Sequence, residues 1–406
     1  MDRTLQVHVD RSTWPTPPDL PAFPTTFAGG SAPFTLNIPG FLLTVGYLTT
    51  PSHASGVSLS EFWAWVRYLH AIAADPDLRL TPAFAELDAH QKTILSDDFG
   101  MGVPVFWLLD RLQISAIVDG RYFIDRVAAS IGATAAKLAK RGPGKSPDFV
   151  ARDIHGVWHV LECKGTQGNT TTRTNQLGDA GPPPSGAVAQ KRTITFPAGH
   201  TGQRLASGLV IGVAGSSQTS SLRIIDPPGE NKFVIEESQL GLADDAIERA
   251  ALARSLRMAG FGASASIVSA PWGQRPQDRP TRGREEQARQ TIVQNKTASA
   301  RQELADRSRR LPFAVGGELF RGREVTFDLP IVVSVGAQQI RAVHVRYGVR
   351  EEVLDNMNGS ASFDEPLQTT AASAGLIGER MKVSAEGPSA RLTIGATFVA
   401  EIDLKE

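Results

Sequence analysis

Ser146-Pro147-Asp148 is followed, after thirteen intervening residues, by Glu162-Cys163-Lys164. Two carboxylates brought close together repel each other and favour a divalent cation between them. Oxygen donors select a hard ion, Mg2+ or Mn2+, and the backbone carbonyl of Cys163 offers a third ligand. An ion held in this way can bind a scissile phosphate, stabilise its developing charge and lower the pKa of an attacking water. Lys164 could orient or deprotonate that water, or neutralise the pentavalent phosphate. A lysine buried without such partners would be costly.

This chemistry needs a hairpin. Residues 146–152 and 157–164 show the period-two pattern of strands, and Asp153-Ile154-His155-Gly156 is a connection of hairpin length. In a strand, alternate side chains share a face. Trp158, Val160, Glu162 and Lys164 therefore point one way, and Val157, His159, Leu161 and Cys163 the other. The turn places Asp148 across from Leu161 or Glu162; one register gathers Asp148, Glu162 and Lys164 in one cleft, and the other needs a bulge. Upstream, residues 120–140 have the spacing of a long amphipathic helix that ends on basic residues and a glycine. Downstream come a polar loop, 166–187, and short apolar strands at 208–214 and 221–226.

On Pro147-Asp148 and Glu162-Cys163-Lys164, in this order of elements, the chain resembles the PD-(D/E)XK nuclease superfamily over residues of about 115–228. The resemblance implies a restriction-endonuclease-like α/β core, a mixed sheet flanked by helices. It implies metal-dependent hydrolysis of phosphodiester bonds, with Asp148 and Glu162 as metal ligands and Lys164 as the catalytic lysine. An acid on the first helix often joins such a metal site; Asp125 is the candidate, with Asp119 second. A glutamine on the helix after the Glu-x-Lys strand is also frequent, and Gln190, followed by Lys191 and Arg192, is placed for it. Lys145, Gln167 and Arg173 complete the expected nucleic-acid contacts. DNA is expected ahead of RNA, and analogy alone suggests an endonuclease of bacterial restriction or antiviral defence.

Around this core the sequence suggests an α-rich N-terminal domain over 1–112, the core over 113–232, a helical linker over 233–310 and a β-rich module over 311–406. Within the first of these, the spacing predicts helices from Ser58-Leu59-Ser60-Glu61 and from Thr81-Pro82. The chain carries 42 Lys plus Arg against 42 Asp plus Glu, and its one cysteine excludes a disulfide framework and any multi-cysteine metal site. The neutral sum hides a basic middle: residues 111–210 hold 13 basic and 6 acidic side chains, which suits a polyanion. Residues 275–310 are also basic, but interleaved acids fit a solvated, ion-paired helix. No apolar run reaches the roughly 18 residues of a membrane span, and no secretory signal opens the chain, so a cytoplasmic protein is expected. Two other classes stay open: a nucleic-acid-binding scaffold that no longer cuts, and an effector nuclease switched on by a ligand or partner. A homo-oligomer is compatible with any of these.

Overall fold

The computed structural model describes residues 1–16, 21–52, 68–131, 146–178, 185–191, 194–228, 233–269, 283–335, 338–360, 363, 367 and 379–406. In chain order the first half contains β1 (Asp2–Val9), β2 (Gly30–Asn37), α1 (Ile38–Thr49), α2 (Ala89–Arg111), β3 (Ile114–Asp119), α3 (Gly120–Ile131), β4 (Phe149–Asp153), β5 (Trp158–Thr166), α4 (Thr170–Leu177), α5 (Gly186–Lys191), β6 (Thr201–Val210) and β7 (Ser221–Ile225). The seven strands form one mixed sheet in the order β2-β1-β7-β6-β5-β4-β3. The strands β3, β4 and β5 run as an antiparallel meander, and β6 lies parallel to β5.

Local chemistry sets the boundaries of these elements. Asp88 caps α2 by accepting from the His90 and Gln91 N–H groups (2.9 and 3.0 Å), which satisfies two of the unpaired donors of its first turn. Asn37 caps α1 in the same way through Gly40 (3.1 Å). Asn169 opens α4, and Gly178 closes it with a φ of 72°, a left-handed conformation that glycine adopts without steric cost. The helix expected over 120–140 is described as far as Ile131; the one expected after Ser58 lies almost entirely outside the described residues.

The sheet has two distinct faces. Phe149, Ala151, Leu161, Cys163, Leu205 and Leu209 join the main core with α1 and α2. Val150, Trp158 and Val160 face a second cluster with Phe123 and Val127 of α3 and Ala246, Ile247 and Ala250 of the next long helix. Fully burying each such large apolar side chain contributes roughly 1.5–3 kcal/mol.

That helix, α6 (Leu240–Met258), corrects the expected linker. It is buried from Asp245 through Met258 and packs against β3, α3 and the second sheet. Its arginines survive burial because each has partners. Arg249 meets Asp245 at 2.7 Å, and Arg254 donates to the Thr50 and Ile117 carbonyls. Helices α7 (Gly262–Val268) and α8 (Gly283–Ala305) follow. Then β8 (Leu311–Val315), β9 (Glu318–Val335), β10 (Gln338–Arg350), α9 (Glu351–Gly359), β11 (Lys382–Glu386), β12 (Ser389–Ile394) and β13 (Phe398–Lys405) build the six-stranded antiparallel sheet β8-β9-β10-β13-β12-β11. It packs on α1 and shares the main core, so the β-rich module is not separate from the rest. The boundary expected at 112 dissolves too, because β1 pairs in parallel with β7 inside the same sheet as the candidate core.

Candidate active site

The hairpin register settles which residues meet. Phe149 pairs with Leu161 and Val150 with Val160, so Asp148 falls opposite Glu162 on the face that also carries Lys164. The Asp148 N–H donates to Glu162 Oε2 (3.0 Å), and the Cys163 N–H donates to Asp148 Oδ2 (2.8 Å). The Gly120 N–H, at the start of α3, donates to the Asp148 carbonyl (2.9 Å) and fixes the backbone there. Lys164 Nζ lies 2.5 Å from Glu162 Oε1; the glutamate side chain is 0% exposed and that of the lysine 25%. The pair thus has a buried floor and one end that reaches solvent.

Helix α2 crosses β5 at this point, and two glycines permit it. A Cβ on Gly165 would fall 1.8 Å from the Ser96 carbonyl oxygen, and one on Gly100 would fall 2.5 Å from the Gly165 nitrogen. This close approach brings Asp97 within electrostatic reach of Lys164 and Asp148. Asp97 is exposed on α2 and was not among the site residues expected from the sequence. Its only signal was an acid one turn before a helical glycine.

The charges share one origin, two carboxyl groups held together out of water. Burial, then the charge of Asp148, pushes Glu162 up to about 8, with Lys164 opposing. Burial likewise raises Asp148, against the pull of Lys164 and the Cys163 N–H. Burial alone would lower Lys164, but Glu162 and Asp148 outweigh it and hold its ammonium above the usual lysine value. The site therefore favours added positive charge, whether proton, ammonium or metal ion.

The donor set fits a hard divalent cation. It offers the Asp148 and Glu162 carboxylates, and extended backbone puts the Cys163 carbonyl on the same side of β5 as its N–H, toward Asp148. Among the described residues no group of three or more His, Cys, Asp or Glu side chains is placed to hold a metal ion. Completing the shell would fall to the carbonyl, water and substrate, as Mg2+ permits. The Cys163 thiol lies on the opposite, core side, and burial raises its pKa.

The other expected residues divide. Asp125 is exposed on α3, which buries Tyr122, Phe123 and Val127, and it pairs with Arg121 at 2.8 Å. Asp119 takes a structural role, accepting from Arg254 (3.0 Å) and Ser52 (2.9 Å). Lys191 is wholly buried, 2.5 Å from Asp226, so its ammonium is committed to the interior rather than to a phosphate. Gln167 reaches back to α2, donating to the Lys92 carbonyl and Ser96 Oγ (both 3.4 Å). Gln190 is half-buried beside Lys191. Arg173, on α4, lies over Gly208, the residue paired with Lys164 across the ladder. Lys145 and Arg192 lie outside the described residues.

Comparison with protein-family models, with curated proteins and with solved structures found no match to the chain. Among the described residues no helix is long and apolar enough to cross a membrane.

Proposed function

We propose that this chain is a metal-dependent nuclease, built on a restriction-endonuclease-like core, that hydrolyses phosphodiester bonds in nucleic acid, with DNA as the favoured substrate. One observation carries the proposal: the β4–β5 register that sets Asp148 beside Glu162 with Lys164 on the same face. The meander β3-β4-β5, followed by helices and a parallel β6, supports the core assignment.

Asp148, Glu162 and the Cys163 carbonyl would hold Mg2+ or Mn2+. Such an ion, when bound, supplies charge neutralisation at the phosphate and a water of lowered pKa. Glu162, buried and pinned by the Asp148 N–H, keeps its orientation without reorganisation during the reaction. Lys164, partly exposed at the mouth, holds a proton above the carboxylates and can place its ammonium against a phosphate oxygen or the attacking water. A role in bacterial restriction or antiviral defence rests on the family resemblance.

The test is cleavage of plasmid DNA and of RNA with Mg2+ or Mn2+, wild type beside Lys164→Ala. Cutting by wild type alone supports the proposal and identifies the polymer. Equal cutting by both proteins, or none by a folded wild type, defeats it.

A further inference from the structure

One guanidinium joins three elements close to the carboxylate pair. Arg254, on α6, is wholly buried. Its Nε donates to the carbonyl of Thr50, the residue that ends α1 (2.8 Å), and its Nη1 to the carbonyl of Ile117 on β3 (3.0 Å). Its Nη2 donates to Asp119 Oδ2 at the end of β3 (3.0 Å). The guanidinium carbon also lies 4.8 Å from the centre of the Tyr47 ring on α1. A rigid fork with donors in fixed directions serves acceptors from several elements only while those elements keep their spacing. Two of the three acceptors are neutral carbonyls, so Asp119 supplies the counter-charge.

Asp119 is held a second time. The same oxygen accepts from Ser52 Oγ (2.9 Å), and Ser52 is itself fully buried. The backbone of this corner then reaches the site. Asp119 pairs with Phe149 across the β3–β4 ladder. The next N–H, that of Gly120, donates to the Asp148 carbonyl (2.9 Å). The approach is tight, because a Cβ on Gly120 would fall 2.2 Å from the Pro147 carbonyl oxygen. The corner between β3 and α3 thus holds the main chain at Asp148, while the Cys163 N–H orients the carboxylate itself.

We propose that Arg254 and Asp119 are positioning residues for the metal site. Together they lock the β3–α3 corner, and through the Gly120 N–H they set where the Asp148 carboxylate stands. The proposal rests on the metal-dependent reading of Asp148 and Glu162 and extends it to two residues engaged with each other rather than with the carboxylate pair. It also gives α6 a part in the site, although that helix lies more than ninety residues beyond Asp148 in the chain. Groups that hold a metal ligand in place are typically worth about 10–100-fold in metal affinity or activity. A misplacement of about 1 Å at a reacting group can cost on the order of 100-fold in rate.

The experiment is a calorimetric titration of the protein with Mn2+, without nucleic acid and well below the melting temperature of every variant. It compares wild type, Asp119→Ala, Asp119→Asn, Arg254→Lys and Asp148→Asn. Asp119→Ala should weaken Mn2+ binding about 10–100-fold and raise the Mn2+ midpoint of cleavage by the same factor, with KM for nucleic acid unchanged. Asp119→Asn keeps an oxygen that can accept from Arg254 and Ser52, and should bind Mn2+ nearly as well as wild type. Arg254→Lys keeps the charge but loses the fork; it should weaken binding as Asp119→Ala does, and it carries the test if the alanine variant does not fold. A purely structural role lowers the melting temperature and leaves the Mn2+ affinity of the folded protein alone. A folded Asp119→Ala or Arg254→Lys protein with wild-type affinity would therefore overturn the positioning role, while loss of binding in Asp148→Asn would leave the metal site standing. A wild type that binds no Mn2+, or binds it equally well after Asp148→Asn, would remove the metal-site reading and the positioning role together.

Discussion

Replacing Glu162 by Gln should abolish cleavage and yet stabilise the metal-free protein. The glutamate side chain is wholly buried, and its pKa rises from 4.5 to about 8 on folding, chiefly by burial and then by Asp148. Between these values the folded chain holds a proton that the unfolded chain has released. Stability therefore falls as pH rises across that window, because the folded state binds more protons. At about pH 7 the deficit is on the order of 3 kcal/mol. Glutamine keeps the shape and cannot ionise, so the deficit disappears. Lys164 loses a partner, but it reaches solvent and keeps Asp148 nearby. For 406 residues, an unfolding entropy of ~2.1 cal/mol/K per residue converts 3 kcal/mol to a Tm gain of about 3–4 °C. Thermal melts in EDTA from about pH 5 to pH 8.5 should show a gap between variant and wild type that is small in acid and widens with pH. A Glu162→Gln protein that melts at or below wild type at about pH 8, or a gap independent of pH, would refute the electrostatic account. Added Mg2+ should then raise the Tm of wild type and leave the variant unmoved.

Three further outcomes follow from the packing. Lys191→Met should destabilise the protein by about 3–5 kcal/mol, since it strands the buried Asp226 charge; adding Asp226→Leu should recover most of the lost melting temperature. Gly165→Ala must push α2 off β5, because the new Cβ would fall 1.8 Å from the Ser96 oxygen; cleavage should drop at least about tenfold, and an alanine variant that cuts at the wild-type rate would show that this crossing does not position the site. Burial would raise Asp153, but His159 and the Val157 and His155 N–H groups outweigh it and hold its carboxyl below the usual value. Its stabilisation is therefore present above the unfolded pKa and lost as pH falls through the folded one. Asp153→Asn should cost about 1 kcal/mol at neutral pH, and urea unfolding should show that difference shrinking below about pH 4.

How far the sequence revealed this arrangement depended on distance along the chain. The β4–β5 hairpin was legible because alternation and a short turn are local, and only its register was open; the Phe149–Leu161 pairing chose the option that unites the acids. The strand β1 also alternates, with Leu5, Val7 and Val9 buried, but its partner β7 begins more than two hundred residues later, and nothing in either segment encodes that pairing. Helix α6 falls inside the helical linker expected over 233–310. Its run of alanines allows close packing, and the buried arginines are satisfied by carbonyls of Thr50, Ile117 and Val268, which no local pattern announces.

The misplaced acid shows the same limit at the site itself. Asp125 sits on an amphipathic helix just upstream of the motif, but helical phase decides direction. Burying Tyr122, Phe123 and Val127 turns Asp125 outward to Arg121. Asp97 is fifty-one residues before Asp148 and reaches the site because Gly100 and Gly165 let α2 and β5 touch at backbone distance. If Asp97 matters to chemistry, Asp97→Asn should lower the cleavage rate more than it changes melting, whereas Asp125→Asn should change neither. The reverse pattern would make α3 the helix that serves the site and would separate the glycine crossing from catalysis.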